Sequence, residues 1–116
     1  ADKIAWTAAD NTLPGECEGY VNCYLFVVRV TYGEYLTRFP KGAYSKRAVQ
    51  NTIASLPHIA DDITSAKKNY DGPTDLSERT EFVKTIQELR AIFSRTSVPE
   101  REKAISQLKV IEDGFK

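Results

Sequence analysis

Residues 24–32, Tyr-Leu-Phe-Val-Val-Arg-Val-Thr-Tyr, have the composition of a β-strand, but the spacing of apolar residues around them does not. Val21, Leu25, Val28, Tyr32, Tyr35 and Phe39 recur at intervals of four, three, four, three and four. A strand alternates with a period of two, so this alternation places all six residues on one stripe of a helix. The pattern returns three more times: at Val49, Thr52, Leu56, Ile59, Ile63, Ala66 and Tyr70; at Phe82, Ile86, Leu89 and Phe93; and at Ile105, Leu108, Ile111 and Phe115. The punctuation agrees. Phe39-Pro40-Lys41-Gly42 closes the first stretch and Gly72-Pro73 the second. Ser45 suits an N-cap, and Asp75-Leu76-Ser77-Glu78 and Ser97-Val98-Pro99-Glu100 read as capping boxes. Helices are therefore expected over about 18–39, 45–70, 75–95 and 98–115, the second kinked at Pro57, which removes a hydrogen bond to Ile53.

Four amphipathic segments with short links assemble most economically as an all-α, up-down-up-down four-helix bundle over residues 17–116. Residues 1–16 show no sustained period and contain Asn11, Pro14 and Gly15, so they read as an irregular N-terminal arm with Trp6 as its large anchor. A length of 116 residues fits one domain with one core. At 41% apolar and 28% charged residues the chain is globular rather than disordered. It has no apolar run approaching the roughly 18 to 20 residues of a membrane span, so insertion is not expected. Sixteen Lys and Arg balance sixteen Asp and Glu, which argues against a globally basic nucleic-acid binder.

Cys17 and Cys23 are the two cysteines. An isolated pair in a small domain points to a disulfide formed in an export compartment, with free thiols as the alternative. In a regular helix the two residues would be separated by about 9 Å of rise, too far for a disulfide, so the helix should begin after Cys17. The absence of methionine and the start Ala1-Asp2-Lys3 point to a chain processed by removal of a leader, although one trimmed in the laboratory would read the same.

An antiparallel bundle sorts the charges. Arg38, Lys41, Lys46, Arg47, Arg90, Arg95, Arg101 and Lys103 gather at one end, against Glu34, Glu88, Glu100 and Glu102, and Glu16, Glu18, Asp61, Asp62, Asp71, Asp75, Glu78, Glu112 and Asp113 at the other, relieved mainly by Lys67, Lys68 and Lys116. Residues 36–47 carry four basic residues and no acid, the pattern of a basic docking face for an acidic partner or, more plainly, of a solvated loop. The first helix also carries Phe26, Val27 and Val30 off its core stripe, where a surface helix is normally polar. Either the arm, which must bury Trp6, covers that face, or another protein does.

Chemistry is sparsely written. His58, Asp61 and Asp62 share a helix face, but no second histidine completes a bundle-core metal site. No nucleophile elbow, phosphate loop, dinucleotide fingerprint or Cys-x-x-Cys is present. The expectation is a protein without catalytic residues, metal or cofactor.

A processed, methionine-free helical bundle with a leading arm and a basic end built on Arg38, Lys41, Lys46 and Arg47 resembles the small extrinsic subunits of photosystem II, particularly the PsbQ-like proteins of the thylakoid lumen and their algal relatives. The resemblance is one of architecture. It implies a peripheral, non-catalytic subunit that docks on the lumenal face of a larger membrane-protein complex and supports oxygen evolution by retaining calcium and chloride. The four basic residues would then meet acidic loops, and the arm with Trp6 would lie along a neighbour. The rival class is a secreted or periplasmic inhibitor or immunity protein that meets a partner enzyme with its acidic end.

Overall fold

The computed structural model describes residues 2–11, 17, 19–65 and 70–115, with backbone only at Asn11, His58 and Ile63. Pro14, Gly15, Glu16, Glu18, Ala66, Lys67, Lys68 and the side chains of His58 and Ile63, all used in the sequence reading, lie outside the described residues. The fold is all-α: α1 (Asp2–Asn11), α2 (Val21–Val30), α3 (Tyr32–Arg38), α4 (Ser45–Ser55), α5 (Pro57–Thr64), α6 (Leu76–Arg95) and α7 (Arg101–Gly114).

The segment 18–39, expected as one helix, is two. The break lies at Thr31, where the backbone leaves the helical region at φ −104°, ψ −94°, while its N–H and hydroxyl both donate to the Val27 carbonyl, at 3.1 and 2.7 Å. The segment 45–70 is likewise divided, at the expected place. Leu56 separates α4 from α5, and the carbonyl of Ile53 that Pro57 cannot reach accepts the side-chain amide of Gln107 from α7 at 3.5 Å. The predicted boxes fare differently. Asp75 accepts from the backbone N–H of Glu78 at 2.7 Å, while the Glu78 carboxylate accepts from Thr74 N at 2.7 Å and Thr74 Oγ1 at 2.6 Å. Those bonds hold the Glu78 carboxyl below its usual range, the Thr74 hydroxyl first. By contrast Ser97 does not open a helix: 98–100 form a turn and α7 starts at Arg101 without a side-chain cap. Nor does Ser45 cap α4, because its hydroxyl donates to Phe39 O at 2.9 Å and braces the preceding loop.

The largest correction concerns the arm, which is not irregular: residues 2–11 form α1. An isolated ten-residue helix is marginal in water, so packing must supply most of what holds this one. Trp6 and Ala9, one turn apart, are buried as α1 packs against α3.

Much of the core comes from the stripes read from the sequence: Leu25, Val49, Leu56, Ile86, Leu89, Phe93, Leu108 and Ile111 are each at most 1% exposed. Leu36 and Ile92, on none of those stripes, are buried as well, while Tyr32, Phe39, Tyr70 and Phe115 are half-buried. α7 sits slightly rotated, with Ala104 rather than Ile105 fully inside. α6 packs against α2 and α7, α5 against α7, and α4 against α3 and α7.

Cys17 and Cys23 form a disulfide, with Cα atoms 5.4 Å apart, Cys17 lying before α2 as the geometry required. Gly19, at φ 83°, supplies the left-handed turn between them. Asp71 pairs with this turn, donating to Gly19 O at 2.7 Å and accepting from Val21 N at 2.8 Å. Phe115 meets Phe82 edge-on at 6.1 Å at the same end. At the opposite end the Thr96 hydroxyl donates to Pro40 O at 2.8 Å, tying the α3–α4 and α6–α7 loops together. The basic loop therefore lies beside the α6–α7 loop, at the end of the molecule away from the disulfide.

Candidate docking face

The loop 39–44 follows directly from the end of α3, where Arg38 occupies the last turn and Pro40 prevents continuation. Four contacts fix it. Phe39 N donates to Tyr35 O at 2.8 Å, Tyr44 N donates to Tyr35 Oη at 3.0 Å, and Ala43 N donates to Asp2 Oδ2 at 3.0 Å. The Tyr35 hydroxyl in turn donates to Asp2 Oδ1 through a short hydrogen bond. One carboxylate from α1 thus holds both the α3 tyrosine and the loop backbone. Gly42 is required at the centre of this knot, because a Cβ there would stand 2.5 Å from Tyr35 Oη and 2.9 Å from Asp2 Oδ2.

Beside the knot lies an aromatic cluster. Trp6 stacks on Tyr44 with ring centroids 5.2 Å apart and parallel planes, meets Tyr35 edge-on at 5.5 Å and touches Tyr32 at 5.9 Å. The Arg47 guanidinium lies 5.7 Å from the Trp6 ring centroid, and that of Arg38 lies 5.6 Å from the Phe39 ring centroid. Two of the four basic residues are therefore seated on aromatic faces.

Arg38, Lys41, Lys46 and Arg47 are all exposed, and none pairs with a carboxylate among the described residues. The acidic groups at the other end are more engaged: Asp75 and Glu78 cap α6, and Asp113 pairs with Lys109 at 3.3 Å. The sorting of charge fails at one pair, because Arg90 donates to Glu112 at 2.9 Å across α6 and α7 instead of joining the basic end. Arg29, on the flank, is held by Glu88 at 2.8 Å and Glu34 at 3.4 Å.

Trp6 does not belong among the partner-binding residues. At 5% exposure it is an internal anchor that carries Arg47, and its place in the docking face is indirect. The sequence signals that could have shown this are Ala5, Ala8 and Ala9, strong helix formers around a lone indole, and Asp2 in the first turn. α1 does not cover the apolar back of α2: Phe26 and Val30 are 54% and 45% exposed, and α1 reaches only the edge at Val30.

The knot has a pH signature. Hydrogen bonds from Tyr35 and then from the Ala43 amide hold the Asp2 carboxyl below its ordinary range. Burial, followed by the bond to Asp2, pushes the Tyr35 phenol up to about 12. A phenol whose folded pKa is raised adds stability that is complete below its unfolded value near 10 and is lost as pH climbs toward 12. Urea melts of the native chain should therefore lose stability between those values, and Tyr35→Phe should lose less over the same interval. Parallel losses in the two proteins would show that Tyr35 is not the group responsible.

Comparisons with protein-family models, curated proteins and solved structures find no match to this chain.

Proposed function

We propose that this chain is a non-catalytic docking protein that attaches through Arg38, Lys41, Lys46 and Arg47 to an acidic surface of a larger membrane complex, and that this surface is the lumenal face of photosystem II. The observation that carries the docking reading is that those four exposed cations pair with no carboxylate among the described residues, Lys41 standing on the loop held by Asp2, Tyr35 and Thr96 and the other three on the helix turns that flank it. Charges held in place before encounter lose less side-chain and loop freedom on binding, and unpaired cations have no internal ion pair to break. The photosystem assignment rests on the architectural resemblance. It is compatible with two features of the chain: no described helix is long and apolar enough to cross a membrane, and the disulfide suits an exported protein.

A salt wash of thylakoid membranes is the direct test. The chain should move from pellet to supernatant as salt rises, with oxygen evolution falling and returning when it is added back with calcium and chloride restored. A chain that stays in the supernatant at low salt and binds a soluble enzyme one-to-one would overturn the assignment.

Replacing all four cations by Gln should leave the melting curve nearly unchanged, since exposed charges contribute little to folding. Membrane affinity should fall at least tenfold, by order of magnitude, and its salt dependence should flatten. Unchanged affinity with an unchanged salt slope would remove this face from the docking.

A further inference from the structure

The basic face borders a cleft that the charges alone do not explain. It lies between α1 and the α2–α3 segment, is open to solvent on one side and has a volume of about 120 Å³. Ala5, Ala8, Ala9 and Val30 supply its apolar lining, and Thr31, Glu34, Tyr35 and Arg38 its polar lining. A cavity of about 150 Å³ accommodates a single benzene ring, whereas cofactor-sized ligands need roughly 300 Å³ or more, so this cleft is matched to one apolar side chain. Its rim carries both signs, Glu34 and Arg38. Glu34 meets Arg29 at 3.4 Å, while Arg38 is exposed and free of any carboxylate among the described residues.

The geometry points to a two-part docking site, resting on the docking reading above: the cleft takes one apolar side chain of an acidic partner segment, and Arg38 takes a carboxylate beside it. Arg38 together with the exposed Lys41, Lys46 and Arg47 beside the cleft selects an acidic segment as the occupant, and the size of the cleft limits the anchor to a single leucine- or phenylalanine-sized group. The long-range charges would bring the partner in and the cleft would fix its register.

Two synthetic peptides test this, an acidic nonapeptide of glutamates with a central Leu and the same peptide with a central Ala. The Leu peptide should bind the native chain roughly tenfold or more tightly, the worth of one buried aliphatic group, with the ratio persisting at high salt. Ala8→Leu, a change at an exposed helical position, should fill the cleft and erase the ratio while leaving the Ala peptide's affinity unchanged. Val30→Ser should reduce the ratio without affecting α1, and Arg38→Gln should weaken both peptides. Equal affinities for the two peptides would overturn the cleft while leaving the docking reading intact, provided binding still depends on salt and on the four cations. If neither peptide binds, both are overturned.

Discussion

Ile86→Ala should destabilise the protein by about 2 to 5 kcal/mol, the usual range for truncating a fully buried aliphatic residue. Ile86 has no exposed surface and sits on α6, the helix that packs against both α2 and α7. The loss has two parts, the transfer of the removed methyl and methylene groups and the void left behind. Helices on two sides of α6 cannot all close on that void, so the upper half of the range is expected. Against a total of roughly 5 to 15 kcal/mol this is a large share, and for a domain of this length each kilocalorie lowers the melting temperature by about 4 to 8 °C. Urea denaturation gives the number. A cost below about 1 kcal/mol would mean that α6 is not the centre of the packing.

Trp6→Ala should cost about 3 to 5 kcal/mol by the same reckoning, but where that cost appears will differ. α1 packs against α3 and depends on Trp6 for most of its burial, so it can leave without opening the rest of the core. Once it has left, further loss stops, and global stability should fall by no more than α1's docking contributes. Hydrogen exchange distinguishes the two cases: the amides of α1 and those of Ala43 and Tyr44 should exchange rapidly, while those of α6 stay protected. Uniform loss of protection throughout the chain would show that α1 is part of the main cooperative unit. Docking through Arg47 should weaken in the same variant, because the ring that seats its guanidinium is gone.

The pattern of what could be read in advance follows from the range of the forces involved. Apolar periodicity records burial against neighbours, and it located much of the core of α2 through α7. Pro57 and the Asp75–Glu78 box act locally and are visible as such. α1 is different in kind, because ten residues with one large side chain carry too little periodic signal, and its helix depends on Tyr32, Tyr35 and Tyr44 far along the chain. The division at Thr31 is a local turn of the backbone, at φ −104° and ψ −94°, and periodicity does not register it because the buried positions Val28 and Tyr35 on either side stay in step. At Ser97 and Ser45 the residue types were right for capping, but tertiary contacts put the hydroxyl of Ser45 to other use and the turn 98–100 delayed α7. The docking cations were legible as charges. The seating of Arg47 on Trp6, and the carboxylate that fixes the loop, were not, because each joins residues that only the fold brings together.

The stack of Arg47 on Trp6 also gives the molecule an optical property. Trp6 is the single tryptophan, so the chain's indole fluorescence comes from one ring packed against both Tyr44 and Arg47, one of the proposed docking cations. Indole emission shifts with the electric field across the ring, and a partner carboxylate that draws on Arg47 alters that field. Attachment can therefore be followed by emission spectroscopy on the unlabelled protein, with a signal that originates at the docking face itself.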